Sequence, residues 1–297
     1  MSTLNTCTSS TRPASPSQGD MLYETDSYKT IIYDGSQWRE YQSTNSPYSL
    51  DGTYSVSQQP LWHFDAAKIN GVDSSGNPSD GGSLTTAWKT KFGPSIYDHR
   101  PQTSSSSQPT WYSSGENSLP YVDWDGGDQL IEQTKTFIYG PFVWFQVMKS
   151  DNGYWTGMNG TSNGLFTRRA SDLLYYYSDS GRGYNGTGNN SGLTSLSAST
   201  RMLLFEKPNT SNPSYLYVDG DNAQGSTGSG ASTSNIGIGG FGGGFSSYRP
   251  NGKVYEMALW IGGGIDATSG PLTTADKNAL IDYVESKYNL SGFTDFS

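Results

Sequence analysis

Very few residues in this chain could do covalent chemistry. There are two imidazoles in 297 residues, His63 and His99, and neither lies near a Gly-x-Ser-x-Gly turn that would expose a nucleophilic serine. His63 alternates with Trp62 and Phe64, the pattern of a structural histidine inside a strand. The single cysteine, Cys7, allows no intrachain disulfide, and no Cys/His array exists for zinc. Carboxylates are plentiful, 27 in all, but glycoside hydrolysis uses them as a pair about 5–5.5 Å apart for retention, with one kept protonated. The glutamates stand singly, and Glu256, in a predicted strand, is expected to face solvent or to pair with Lys253.

Two acidic groupings could offer hard oxygen ligands to calcium: Asp123, Asp125 and Asp128, and Asp219, Asp221 and Asn222. Neither has the Asp-x-Asp-x-Asp-Gly order with its distal glutamate, and aspartates in Asp-Gly turns cap their own backbone. No cofactor is therefore expected, with calcium the one cation the pattern admits. The last constellation is aromatic: Tyr154-Trp155, Tyr175 and Tyr177, and Tyr184-Asn185. Aromatic faces beside amides suit sugar rings, which stack their apolar C–H face and hydrogen-bond at the rim.

The elements that must position these residues are strands. Only 33% of residues are hydrophobic and 15% charged, Gly reaches 37, and aromatics make up 13%, which together describe an all-β body rich in Gly, Ser and Asn turns. The net charge of −9 repels a phosphate backbone, so nucleic acid is excluded as a partner. No run approaches 18 apolar residues, so membrane insertion is not expected either.

Along the chain, residues 1–19 read as an extended Ser/Thr/Pro arm, 20–42 as a small β-meander, 43–59 as a polar linker, and 60–297 as one long β domain. The meander strands are Met21–Glu24, Thr30–Tyr33 and Gln37–Tyr41, with a hairpin signal at Asp34-Gly35. Too short to enclose a core, the meander must dock on another surface, either the rest of its own chain or symmetry mates and a larger assembly. Met21, Tyr23, Ile31, Tyr33 and Trp38 are the expected assembly contact. In the large domain, strands are predicted at Leu61–Phe64, Tyr121–Trp124, Phe142–Met148, Leu165–Arg168, Leu173–Tyr177, Met202–Glu206, Tyr215–Val218, Ile236–Ile238 and Val254–Ile261. A capping pattern at Thr273-Thr-Ala-Asp276 opens a helix that carries Leu280, Tyr283, Val284 and Tyr288 at helical spacing.

Three segments together resemble the laminin-G-like branch of the concanavalin A-like lectin/glucanase superfamily. They are Leu61-Trp-His-Phe-Asp-Ala-Ala67 followed by Ala87-Trp88; Gln108-Pro-Thr110 followed by Leu119-Pro-Tyr-Val-Asp-Trp-Asp-Gly-Gly-Asp-Gln-Leu130; and Gly252-Lys-Val-Tyr-Glu-Met-Ala-Leu-Trp260 followed by Leu272-Thr-Thr-Ala-Asp276 and the helix. The resemblance implies an all-β fold: a two-sheet antiparallel jelly roll with one C-terminal helix. Hydrolases of that superfamily carry Glu-x-Asp-x-x-Glu on one strand. No such string occurs here, so the resemblance implies no enzyme. The stretch from Arg12 to Asp26, followed by Ile32-Tyr-Asp-Gly-Ser-Gln-Trp38, resembles a module of phage tail-fibre and capsid-appendage proteins. It implies a virion structural protein assembled in the host cytoplasm, partnered by other virion proteins, with a homotrimer favoured. A host-glycan receptor-binding protein is the alternative, and a polysaccharide hydrolase the less favoured one.

Overall fold

The computed structural model describes residues 5–8, 10–18, 20–24, 29–33, 35–41, 47–92, 98–101, 104–125, 127–132, 142–150, 165–170, 173–178, 184–186, 199–207, 215–224, 237–239, 251–261 and 271–297. The first four strands, β1 (Asn5–Cys7), β2 (Met21–Glu24), β3 (Lys29–Tyr33) and β4 (Trp38–Tyr41), form a sheet of their own in that order. The expected meander is present as β2–β4, and the arm before it adds β1, parallel to β2. Because side chains alternate across a strand, the register Leu22↔Ile31↔Glu40 with Tyr33↔Trp38 defines one face, and Met21, Tyr23, Ile32 and Tyr41 lie on the other. The expected contact set is thus split: Met21 and Tyr23 share one face, while Ile31, Tyr33 and Trp38 share the opposite one. Ile31 is 2% exposed, already covered within its own chain, and Tyr33 packs on Trp38 with ring centroids 5.4 Å apart.

A short ribbon, β5 (Tyr48–Ser49) and β6 (Ser55–Val56), leads into the large domain. There follow β7 (Trp62–Asp65), β8 (Gly82–Ser83), β9 (His99–Pro101), β10 (Thr110–Tyr112), β11 (Tyr121–Asp125), β12 (Gln129–Glu132) and β13 (Phe142–Ser150). Next come β14 (Leu165–Ala170), β15 (Leu173–Ser178), β16 (Tyr184–Gly186), β17 (Arg201–Lys207), β18 (Tyr215–Val218), β19 (Asp221–Gln224), β20 (Gly237–Gly239) and β21 (Asn251–Ile261), closed by helix α1 (Thr274–Tyr288). Nine strands make the main sheet in the order β19-β18-β17-β13-β21-β11-β10-β8, with β7 also paired to β21. A second sheet, β20-β12-β9, lies apart from it in pairing, and β14-β15-β16 form a third.

The sequence of β13 explains the layering. Phe142, Trp144 and Met148 enter one apolar cluster with Trp62, Phe64, Trp88, Trp124 and, from the second sheet, Leu130. Val143, Phe145 and Val147 enter another with Leu280, Ile281, Tyr283 and Val284 of α1. A strand apolar on both faces is one covered on both, here by a sheet on one side and a helix on the other. The helix begins as its pattern predicts. The Asp276 N–H donates to Thr273 Oγ1 at 3.1 Å, and Asp276 Oδ2 accepts from the Thr273 N–H at 2.9 Å, completing a capping box. Asp276 also accepts from the N–H and hydroxyl of Ser57 at 2.6 and 2.7 Å, tying the linker to the helix start.

The β18–β19 hairpin turns on Asp219 (φ 52°) and Gly220 (φ 85°), the left-handed pair of a type I′ turn. The Thr294 N–H donates to the Asp219 carbonyl at 2.8 Å, and a Cβ built at Gly220 would stand 1.7 Å from the Thr294 carbonyl oxygen. Gly52 has a positive φ too, of 100°, but open space around it. Gly52→Ala is therefore expected to cost about 1 kcal/mol, the strain of a left-handed residue. Gly220→Ala should cost at least about twice that, because the tail must also be displaced. Urea unfolding of the two variants checks this, and equal losses would contradict the close approach of the tail.

Candidate functional site

Along β21 the pairing to β13 runs Val147↔Glu256 and then Met148↔Val254, so Tyr255 is an extra residue in the ladder. The bulge turns both Tyr255 and Glu256 toward the helix, while Val254 and Met257 enter the opposite cluster. Glu256 has no solvent exposure. The expectation that it faces solvent or pairs with Lys253 is thus corrected, and Lys253 instead lies over the Tyr121 ring at 4.5 Å. No local signal foretells the change, because the bulge is a property of the paired strand.

Glu256 gathers donors from two elements, α1 and β7. Tyr283 Oη donates to its two carboxylate oxygens at 2.7 and 2.8 Å, Tyr288 Oη at 3.0 Å and Lys287 Nζ at 2.7 Å. From β7, whose Asp65 sits directly opposite Glu256 in register, His63 donates through Nε2. That leaves His63 Nδ1 to accept from the Tyr48 hydroxyl at 2.7 Å, a neutral tautomer fixed by its partners. Lys287 Nζ also reaches Asp65 at 3.2 Å, and Lys91 Nζ stands 3.7 Å from the same oxygen. His63 is the structural histidine its alternation implied.

The electrostatics follow from burial. Burial alone would raise the Glu256 carboxyl, but Lys287, the His63 hydrogen bond and Lys91 outweigh it and hold the group well below the usual carboxylate range. Burial and then Lys91 push His63 down, so it stays neutral. Burial opposes the Lys287 charge, yet Glu256 and Asp65 raise it above the ordinary lysine value. The line carboxylate–imidazole–hydroxyl has the connectivity of a nucleophile relay. However, burial followed by the charges of Glu256 and Asp65 drives the Tyr48 hydroxyl far above its ordinary value. With Tyr48, His63 and Glu256 all buried, the network acts as a clamp between sheet and helix.

The aspartates weighed for calcium are occupied by their own chain. Asp128 Oδ2 accepts from the Asp125 N–H at 2.9 Å and Asp125 Oδ1 from the Gly127 N–H at 2.7 Å. Asp123 is half-buried in β11, Asp125 is exposed and Asp128 is buried, with its carboxyl pushed up to about 6 chiefly by that burial. Asp219 accepts from Arg201 Nη1 at 2.5 Å and the Met202 N–H at 2.8 Å, and Asp221 from the Thr294 hydroxyl at 2.8 Å. Among the described residues no three His, Cys, Asp or Glu side chains are grouped to hold a metal ion.

The aromatic residues lie in an excursion. β13 and β17 are hydrogen-bonded neighbours with Met148 opposite Arg201, so residues 151–200 leave the sheet and return to the same edge. Hairpin connections take about 2–5 residues, so this one exceeds what the fold needs roughly tenfold, and long loops of that kind carry function. It contains the sheet β14-β15-β16. The register Phe166↔Tyr177↔Tyr184 and Arg168↔Tyr175↔Gly186 places Tyr175, Tyr177 and Tyr184 on one face, together with Phe166 and Arg168. Asn185 pairs with Tyr176 and falls on the opposite face, with Thr167 and Arg169. Tyr154 and Trp155 lie outside the described residues. Strand alternation from Tyr177 and Tyr175 through their partners adds Phe166 and Arg168 to that face.

No protein-family model and no curated protein matches the chain. Solved structures do. A GH54 α-L-arabinofuranosidase soaked with a cyclic sulfate inhibitor aligns over 86% of this chain and 65% of its own, at TM-score 0.50 and 11% identity. Domain 4 of AbnA, a GH43 extracellular arabinanase from Geobacillus stearothermophilus, in complex with arabinotriose, aligns over 69% of this chain and 93% of its own, at TM-score 0.45 and 10% identity. A Trypanosoma rangeli sialidase with the inhibitor DANA aligns over 89% and 45%, at TM-score 0.42 and 12% identity. At such identities the likeness is one of fold: a lectin-like β-sandwich. It corrects the expectation that the chain is no enzyme. Structures of this fold include glycoside hydrolases, so the missing Glu-x-Asp-x-x-Glu string excludes no chemistry.

Two outcomes test the clamp. Glu256→Ala leaves His63, Tyr283 and Tyr288 without this acceptor and Lys287 with Asp65 as its remaining carboxylate, and is expected to cost about 3–5 kcal/mol in urea unfolding. A loss under about 1 kcal/mol would contradict it. Because His63 is held below its unfolded value of 6.5, the unfolded chain binds the proton first as pH falls through 6.5. Wild type should therefore lose stability relative to His63→Gln by up to about 1.4 kcal/mol per pH unit below that point. Asp128, raised rather than lowered, works in the opposite sense but is common to both proteins. A difference that does not change with pH would contradict the buried neutral imidazole.

Proposed function

We propose that this chain is a glycan-contacting appendage of a phage particle, seated through its N-terminal sheet and presenting the β14–β16 face to a host-surface polysaccharide. The observation that carries the reading is the 151–200 excursion, which the sandwich does not require and which gathers Phe166, Tyr175, Tyr177 and Tyr184 on one face. Stacked aromatics offer sugar rings an apolar platform without demanding a single geometry, and a three-stranded sheet of this kind gains stability once its apolar face is covered. Contact of this sort serves adhesion whether or not the bound glycan is then cleaved.

Seating draws on the other end of the chain. Neither apolar cluster of the large domain includes Leu22 or Ile31, the buried described residues of the N-terminal sheet, and the opposite face, with Met21, Tyr23, Ile32 and Tyr41 in register, suits a larger neighbour: another virion protein or the same sheet of a homotrimer. The phage assignment rests on the N-terminal resemblance, and localisation on the virion follows from it.

On a glycan array, wild type is expected to bind saturably, Tyr177→Ala to lose at least about tenfold in affinity, and Tyr176→Ala, on the opposite face, to bind as wild type. Silence of the wild type across the array would overturn the reading. Tyr23→Ala, on the seating face, should lower incorporation into particles while leaving the unfolding midpoint of the large domain unchanged, and wild-type occupancy would overturn the seating role of that face.

A further inference from the structure

We infer that the glycan taken by this face is acidic, and that Arg168 selects it by pairing with its carboxylates; the inference rests on the glycan reading of the β14–β16 face. The two adjacent arginines of β14, Arg168 and Arg169, fall on opposite faces because successive residues alternate across a strand. Register carries Arg168 to the aromatic side, in a row with Tyr175 and Gly186, next to the row of Phe166, Tyr177 and Tyr184. The two rows lie two residues apart along the strand, about 7 Å, which is the scale of one sugar residue. A ring stacked on the aromatic row thus has a cation position beside it. At the third place of the cationic row stands Gly186, which has no side chain to occupy it.

The charge pattern argues for an acidic occupant. In the whole chain Asp and Glu number 27 against 18 Lys and Arg, yet the three strands contain two arginines and neither Asp nor Glu. A neutral sugar needs no guanidinium, and a face meant for one gains nothing from excluding acids. For a carboxylate ligand both features matter. The overall charge of −9 repels a polyanion, so a local cation is what makes the approach tolerable, and a planar guanidinium binds a carboxylate through two parallel hydrogen bonds.

The test uses the full chain and three immobilised acidic polymers, polygalacturonate, alginate and hyaluronan, each against its carboxyl-reduced counterpart. Wild type is expected to hold at least one acidic polymer about tenfold or more tighter than its reduced form, the worth of one charge-assisted hydrogen bond. Arg168→Gln should bring the two within about twofold while retaining binding to the reduced form. Arg169→Gln, on the same strand but the other face, should keep the preference. Equal binding of acidic and reduced polymers by wild type, or loss of preference in Arg169→Gln but not Arg168→Gln, overturns the inference. If neutral glycans still bind and Tyr177→Ala still abolishes that binding, the glycan reading survives such a result. If no polymer and no array glycan binds, the glycan reading itself fails and this inference with it.

Discussion

A carboxylate with no access to water must be neutralised where it stands, and in this chain Glu256 imposes that condition on its surroundings. It sits on the strand that β13, β11 and β7 all pair with, so the ladder fixes it in place. Its donors come from β7 and from α1, which means the helix cannot dock in another register without stranding a buried charge. Removing a partner from such a site costs more than the site contributes when intact. The clamp therefore specifies the arrangement of helix on sheet more than it stabilises the chain. The capping box at Thr273 and the Ser57 hydrogen bonds to Asp276 hold the other end of the same helix, while the apolar clusters supply the bulk of the stability.

Much of this architecture is legible in the residues. All nine strands read from the large domain are present, because runs such as Phe142–Met148 and Val254–Trp260 are apolar on both faces and can only sit between layers. Thr273 and Asp276 announce the helix through local chemistry alone. What escapes is what depends on a distant partner. The two- and three-residue strands β5, β8 and β10 have too little sequence to show a period. β1 exists only as a parallel neighbour of β2. The inward turn of Glu256 arises from a bulge defined by its pairing with β13, so a lone glutamate in an apolar strand looks like a surface residue until the second strand is known.

The aromatic site stands between these cases. Tyr175, Tyr177 and Tyr184 are conspicuous by type, but their division from Tyr176 and Asn185 requires the register of three strands. The same holds for the N-terminal sheet, where five apolar residues read as one contact turn out to occupy two faces. Alternation is a local rule, yet it yields a surface only when neighbouring strands are aligned. The aspartates illustrate the converse: close in sequence, they are consumed by the turns that brought them together.

The sandwich and its clamp are built outside the excursion, and in the proposed function the excursion supplies the contact surface. The direct measurement is glycan binding by a chain in which residues 151–199 are replaced by a two-residue Asn-Gly turn, after urea unfolding has verified its fold. The account predicts an unfolding free energy no lower than that of the full chain, since β13 and β17 still pair and the shorter loop costs less to close, and no binding to any glycan that the full chain holds. A shortened chain that still binds those glycans, or one that cannot fold, would contradict it.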